Sequence, residues 1–181
     1  MNNRLFTAIS IPANTIKTLE IVRPPKSHGI YFTNTDKLHL TLNFIGDAEI
    51  DIVRKSISEI GFSSFEITID HVGKFSTKNG GSIFWAGIKT NDRLLQLQKE
   101  IATRLSQNSV IYDSRDYKPH ITLARSKAHI SESIINSFLR QQLPKTHLSF
   151  QVGEFHLFNS KLIERQSMYA CLQSVNARSK V

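Results

Sequence analysis

A chain of 181 residues, 40% of them apolar, is long enough to bury its own core as one domain, and a single cysteine, Cys171, excludes an internal disulfide framework. Twenty-three Lys and Arg against 15 Asp and Glu leave a formal net charge of +8, scattered along the chain, which favours a polyanionic partner and speaks against a disordered basic tail. The opening MNNRLFTAISIPAN lacks the apolar run of a signal peptide or membrane span, so a cytoplasmic protein with no membrane partner is expected.

In chain order, clustered or alternating apolar, β-branched and aromatic residues predict a strand over Leu5 to Ile11 and a second over Leu38 to Phe44. Helical spacing follows over Ala48 to Ile60, then strands over Phe65 to Phe75 and Ile83 to Ile88. Asn79-Gly80-Gly81 between these strands reads as a hairpin connection; without a following Gly-Lys-Ser or Gly-Lys-Thr it is no phosphate-binding loop. A helix is predicted over Asp92 to Leu105, a strand over Ile121 to Ala124, and a helix over Ser131 to Leu143. Ser131 is its candidate N-cap, and Ile134, Ile135, Phe138 and Leu139 form its apolar stripe. Strands over Leu148 to Phe158 and Met168 to Val175 complete the pattern.

This series contains an internal repeat of matching order. His39-Leu-Thr-Leu precedes a helix, then SFEITIDHVGKF from Ser64 and SIFWAGI from Ser82. His120-Ile-Thr-Leu likewise precedes a helix, then SFQVGEFHLFNS from Ser149 and SMYACLQSV from Ser167. Phe65 and Trp85 are 20 positions apart, Phe150 and Tyr169 19, so the two repeats place an aromatic within one position of the same point. The expectation is a single α+β domain over residues 1–181, built as two pseudo-symmetric lobes. Each lobe would carry a mainly antiparallel sheet with outer helices and contribute one motif to a central cleft.

Strand alternation puts His39 and Thr41 on one face and Leu38, Leu40, Leu42 and Phe44 on the other. His120 and Thr122 share a face in the second motif, opposite Ile121 and Leu123. Chance supplies roughly a few hundredths of one His-x-Thr-Leu in a chain of this composition, so a pair in matching contexts points to function. In-line displacement at phosphorus needs one group to deprotonate the attacking oxygen and another to protonate the leaving oxygen. Two imidazoles, titrating near neutrality, supply both roles, and two threonine hydroxyls can donate to non-bridging phosphate oxygens.

The blocks RLFTAI from Arg4, KLHLTLNFIGD from Lys37, FWAGI from Phe84, YKPHITLAR from Tyr117 and FNSKL from Phe158, with Tyr169 beyond, span almost the whole chain. Together they resemble the two-histidine phosphoesterase superfamily, and most closely the RNA 2′,3′-cyclic phosphodiesterases formerly called RNA 2′-5′ ligases. The resemblance implies opening of RNA 2′,3′-cyclic phosphates to 2′-phosphomonoesters without metal or organic cofactor. It implies acid and base roles for His39 and His120 and phosphate binding by Thr41, Thr122 and Arg125. His39 is favoured as the acid and His120 as the base, with the reverse left open.

Strict alternation turns Arg125 away from His120 and Thr122, so a bulge or strand end must bring it back. Many relatives carry a tryptophan before the first motif, where this chain has Ile30-Tyr31-Phe32. Tyr31, Phe32 and Phe44 are therefore candidates to stack on a nucleobase, against a core-packing alternative for each. His28, His71, His129, His147 and His156 show no zinc-ligand spacing and are assigned surface or structural roles; Trp85 is assigned to the core. An RNA- or nucleotide-binding module on the same fold and a reversible 2′-5′ RNA ligase are the alternative functions. A monomer is expected.

Overall fold

The alternation in the motif strands sorts side chains to two faces of a sheet. Leu38, Leu40, Leu42, Ile121 and Leu123 are buried, whereas His39, Thr41, His120 and Thr122 remain partly exposed on the other side. The computed structural model describes residues 3–144, 146, 148–163 and 166–178. His147 lies outside them.

The strands are β1 (Leu5–Ser10), β2 (Ile30–Phe32), β3 (His39–Gly46), β4 (Phe65–Ser76), β5 (Ser82–Ile88), β6 (His120–Ser126), β7 (Ser149–Val152), β8 (Glu154–Ile163) and β9 (Gln166–Asn176). The helices are α1 (Ala13–Ile21), α2 (Ile50–Ser58), α3 (Asp92–Gln107) and α4 (Glu132–Leu139). The strands pair antiparallel in the order β7-β4-β5-β6-β3-β1-β8-β9, with β2 added against β6. The α+β class and the mainly antiparallel sheet match the sequence-based expectation.

The repeats, however, interleave. The β4–β5 hairpin that follows the first motif lies beside β6, which carries the second motif. The β8–β9 hairpin of the second repeat lies beside β1, which pairs with β3. Each half of the sheet thus combines a motif from one repeat with the hairpin of the other, an exchange invisible in local periodicity.

The predicted strand Leu148 to Phe158 is two strands. Gly153 alone separates β7, at one end of the strand order, from β8, near the other. One residue reaches only about 3.5 Å, so the sheet curls until its two ends meet, and Ala177 N–H donates to the Gly153 carbonyl at 2.7 Å across that seam. β4 accommodates the curl by pairing with β7 through Phe65–Thr68 and with β5 through Ile69–Ser76.

The helices cover the apolar face. Leu94, Leu97, Ile101 and Leu105 of α3, Val53 and Ile57 of α2, and Ile135 and Phe138 of α4 are buried there. Phe138 meets Phe84 of β5 edge to face at 5.1 Å. Full burial of one such side chain contributes about 1.5–3 kcal/mol. Asn91 caps α3 by accepting from the Leu94 N–H at 3.0 Å. Ser131 does occupy the N-cap of α4, but its hydroxyl bonds the Ser133 hydroxyl at 3.1 Å and caps no backbone N–H. Leu139, expected in the apolar stripe, is exposed at the helix end.

The Asn79-Gly80-Gly81 segment forms the β4–β5 hairpin, as expected. The Thr77 N–H donates to the Gly81 carbonyl at 2.9 Å, and Gly80 takes φ +78°, a conformation suited to glycine. Sequence reading missed α1 and β2. Two of the three buried residues of α1 are threonines, Thr15 and Thr18, which mask its apolar stripe, and β2 is only three residues long.

Candidate active site

Strands β3 and β6 meet through a single antiparallel pair, Leu40 with Ile121. That register carries His39 toward Thr122 and Thr41 toward His120, so the two motifs stand in a two-fold relation about the Leu40–Ile121 pair. Both core leucine-type residues point under the sheet, leaving the imidazoles and hydroxyls together above it.

The imidazoles are held identically. His39 Nδ1 lies 2.7 Å from the carbonyl of Lys37, and His120 Nδ1 lies 2.6 Å from the carbonyl of Lys118. A carbonyl can only accept, so Nδ1 carries the hydrogen in each ring and Nε2 is the nitrogen left to exchange a proton with a ligand. Burial lowers the pKa of His39, its Lys37 hydrogen bond opposes that, and the nearby charges of His120 and Arg125 lower it further. Burial likewise lowers His120, opposed by the Lys118 carbonyl and reinforced by Arg125. The influence of His120 and Arg125 on His39, and of Arg125 on His120, places all three in one electrostatic site.

A bulge brings Arg125 to that site. Phe84 pairs with Ala124 but Trp85 with Thr122, so Leu123 is the extra residue and the alternation of β6 changes phase after it. Ala124 turns inward and Arg125 outward, onto the face of His120 and Thr122. The guanidinium pKa is lowered by burial and partly restored by Tyr169.

β3 has the same bulge. Thr7 pairs with Asn43 and Ala8 with Thr41, leaving Leu42 extra. Phe44 consequently stands half exposed on the histidine face, contrary to its expected place beside Leu40 and Leu42. Asn43 takes the buried position instead. Tyr31 is also exposed and is the cross-strand partner of Arg125, with Lys127 Nζ 5.7 Å from its ring. Phe32 faces the other way and lies under Arg23.

Residues 10–162 match the 2′-5′ RNA ligase superfamily. The chain belongs to that superfamily. A Thermotoga maritima protein named RNA 2′,3′-cyclic phosphodiesterase is 27% identical over 183 residues, covering 93% of this chain and 92% of its own. An Archaeoglobus fulgidus protein of the same name is 24% identical over 175 residues, covering 94% of this chain and 98% of its own. Among solved structures, Escherichia coli LigT in apo form superposes with a TM-score of 0.80 at 24% identity, over 98% of this chain and 99% of LigT. LigT complexed with 3′-AMP superposes with a TM-score of 0.81 at 22% identity, over 99% and 100%.

In this member of the 2′-5′ RNA ligase superfamily, aromatic rings enclose each histidine. Phe6 and Tyr169 lie 5.0 and 5.4 Å from His39, centroid to centroid. Phe75 and Trp85 lie 5.0 and 6.1 Å from His120. Trp85 is therefore on the site face and not in the helix-covered core, because Phe84 and Ala86 take the inward positions of β5. Tyr169 has its pKa raised by burial, lowered by Arg125 and Arg4, and raised by Asp36, a set of neighbours at the cleft mouth. The signal for both aromatics was in the repeat, which aligns Trp85 with Tyr169.

Of the other histidines, His71 stacks edge-on to Trp85 at 5.4 Å and lines a cavity beside His120. His156 is buried and bonds the Ser174 hydroxyl at 2.8 Å, a structural role. A larger hollow, about 420 Å³, lies between Phe65 and Arg93 at the start of α3, away from both motifs and without a histidine. Among the described residues no three His, Cys, Asp or Glu side chains converge as metal ligands. None of their helices is long and apolar enough to cross a membrane.

Proposed function

We propose that this chain hydrolyses RNA 2′,3′-cyclic phosphate ends to 2′-phosphomonoesters by general acid and base catalysis with His39 and His120, without a metal. The observation that carries the reading is the matched pair of Nδ1–H bonds to the Lys37 and Lys118 carbonyls, which leaves two Nε2 atoms on one face of the sheet. The names of the Thermotoga and Archaeoglobus relatives point to the same substrate.

In this mechanism His120 Nε2 takes a proton from water as its oxygen attacks phosphorus. His39, protonated at Nε2, gives its proton to the departing 3′-oxygen. Thr41 and Thr122 hydroxyls donate to the non-bridging oxygens, and Arg125 offers paired donors to the same anion. A bound phosphate also reverses part of the electrostatic depression of the two histidines, because an anion favours the imidazolium that the acid role requires. Phe44, exposed beside this face, is the preferred platform for the terminal base, with Tyr31 beyond Arg125 for the rest of the strand. A monomer acting on cytoplasmic RNA is the setting of this reading.

The test is turnover of a 2′,3′-cyclic mononucleotide and a cyclic-phosphate oligoribonucleotide in EDTA, with product identification. Formation of the 2′-phosphate supports the reading. Tight binding without hydrolysis defeats it in favour of a binding module.

A further inference from the structure

Strand β6 pairs with β3 only at Leu40 and Ile121, so beyond Leu40 the edge of β3 is bordered by the segment that joins α3 to β6. Two hydrogen bonds tie that segment in place. The Asp113 N–H donates to the Phe44 carbonyl at 2.8 Å, and the Tyr117 hydroxyl donates to the Thr41 carbonyl at 3.1 Å. The backbone of Asp113 is therefore fixed beside the residue that the hydrolytic reading uses as a platform for the terminal base.

The side chains of this segment sort by alternation. Val110 is buried and Tyr112 packs against the core, whereas Ile111 between them is 86% exposed. Asp113 follows Tyr112 and turns with Ile111 to the open side, where Phe44 stands half exposed. There Asp113 meets Arg115. The Arg115 Nε–H donates to the two carboxylate oxygens at 2.8 and 3.0 Å, a terminal guanidinium nitrogen donates to Oδ2, and the backbone N–H donates to Oδ1 at 3.2 Å. The guanidinium holds the Asp113 carboxyl below the usual carboxylate range, so at neutral pH it is an acceptor only.

Stability does not account for the pair. The Arg115 side chain is 86% exposed and that of Asp113 28%, and exposed ion pairs contribute little to folding. The proposed phosphate chemistry does not use it either. What it offers, beside an exposed aromatic ring, is a donor group next to two acceptor oxygens at the rim of the site.

Bases of single-stranded RNA are recognised by stacking on aromatic rings and by hydrogen bonds along their edges. The Watson–Crick edge of guanine presents the acceptor O6 followed by two donors, N1–H and N2–H. Uracil offers acceptor, donor and acceptor, cytosine offers donor, acceptor and acceptor, and adenine offers one donor beside one acceptor. Among these bases only guanine gives a carboxylate two adjacent N–H groups while leaving an acceptor for a guanidinium. The exposed Arg115 is free to swing from Asp113 toward O6, and guanine then replaces the bonds that the carboxylate gives up. The pair is neutral as a whole, so it brings a carboxylate near the cyclic phosphate without net repulsion.

We propose that Asp113 and Arg115 read the Watson–Crick edge of a guanine stacked on Phe44, which makes an RNA end whose terminal nucleotide is guanosine 2′,3′-cyclic phosphate the preferred substrate. Neither residue touches the reacting atoms. They set specificity, Asp113 by accepting from N1–H and N2–H and Arg115 by donating to O6. This rests on the proposed hydrolytic reading and on the place it gives Phe44.

The test measures kcat and KM for the 2′,3′-cyclic phosphates of guanosine, inosine, adenosine and uridine, in the wild type and in the variants Asp113→Asn and Arg115→Ala. Wild-type kcat/KM is expected to be about tenfold higher for guanosine than for adenosine or uridine, the scale of a paired contact to a base edge. The difference is expected in KM, because the reacting group is common to all four. Inosine, which lacks the N2 amino group, is expected to fall between. In Asp113→Asn the guanosine-to-inosine ratio should fall toward one, and in Arg115→Ala the guanosine-to-adenosine ratio should fall, since adenine has no O6 to lose. Because each ratio is read on one preparation, partial misfolding does not mimic these changes. A wild type that turns over all four nucleotides without favouring guanosine overturns the base-reading role alone. So does a guanosine preference that both variants retain, or one carried by kcat with KM unchanged. A wild type inert toward all four overturns the hydrolytic reading and this one with it.

Discussion

Phe44 and Arg125 occupy equivalent places on the two motif strands, each five residues past its histidine and each turned to the histidine face by a one-residue bulge at Leu42 or Leu123. The pseudo-symmetric scaffold thus offers two matching corners and fills them with unlike chemistry. One corner holds a cation suited to phosphate, the other an aromatic suited to a base. In the proposed mechanism this asymmetry gives an otherwise symmetric pair of histidines a direction.

Removing either corner should produce different kinetics. Arg125→Ala is expected to lower kcat/KM for adenosine 2′,3′-cyclic phosphate about 10²-fold, as for loss of one donor to transition-state charge, with Arg125→Lys recovering part of it. Phe44→Ala is expected to act mainly through KM, raising it by about 5- to 150-fold, the equivalent of roughly 1–3 kcal/mol of base stacking. Steady-state kinetics on the three variants checks both, and a kcat-dominated loss in Phe44→Ala would count against stacking.

His39→Ala and His120→Ala should each cost about 10²- to 10⁴-fold in kcat. The double variant should lose little more than the worse single variant, since acid and base act in one step. Near wild-type turnover in both single variants would sink the two-histidine mechanism.

The pH dependence has a defined sign. Burial and neighbouring cations lower both histidine pKa values in the free protein, so the singly protonated pair is most populated below about pH 6.5, the ordinary histidine value. The kcat/KM profile for the free enzyme should be a bell centred on the acid side of that value. The kcat profile should be displaced upward, because the bound phosphate favours imidazolium. The two profiles, measured on one cyclic nucleotide, check this directly.

The same shifts bear on stability. A histidine whose folded pKa is depressed binds fewer protons folded than unfolded once the pH is below about 6.5, so its contribution is present above that pH and lost below it. Urea unfolding at pH 7.5 and pH 5.5 should show a fall in stability toward acid. His39→Gln should make that fall smaller, and an unaltered pH slope would contradict the burial argument.

Tyr117 ties the second motif block to the first motif strand. Its partly buried hydroxyl donates to the Thr41 carbonyl at 3.1 Å, and desolvation raises its pKa well above the usual phenol range. Tyr117→Phe leaves that carbonyl without its donor and is expected to cost about 1–3 kcal/mol by chemical denaturation. It should also lower kcat modestly, by loosening the strand that presents Thr41. A variant as stable as wild type would show that the carbonyl finds another donor.

Most of the secondary structure was legible because burial leaves a period in the sequence. β3, β5 and α3 announce themselves through Leu40, Leu42, Phe84, Leu94, Ile101 and similar residues. α1 did not, since Thr15 and Thr18 take core positions where apolar residues are usual. The bulges were legible only as a need: Arg125 required one, but nothing local marked Leu123 as the extra residue, and nothing called for its counterpart at Leu42. The misplacement of Phe44 and Trp85 has the same origin. A rule of strict alternation cannot see a phase change, and an apolar run does not declare which of its aromatics faces the histidines.

The sequence by itself determined the groups on which the proposed chemistry rests: two His-x-Thr-Leu motifs, the arginine after the second, and a repeat that pairs Trp85 with Tyr169. These are properties of residue type and spacing, which short-range sterics and strand alternation suffice to read. Tertiary structure alone decided which hairpin lies beside which motif, that Gly153 closes the curled sheet, and that Asp113 is fixed beside Phe44. Those outcomes depend on contacts between residues far apart in the chain, and such contacts leave no local period.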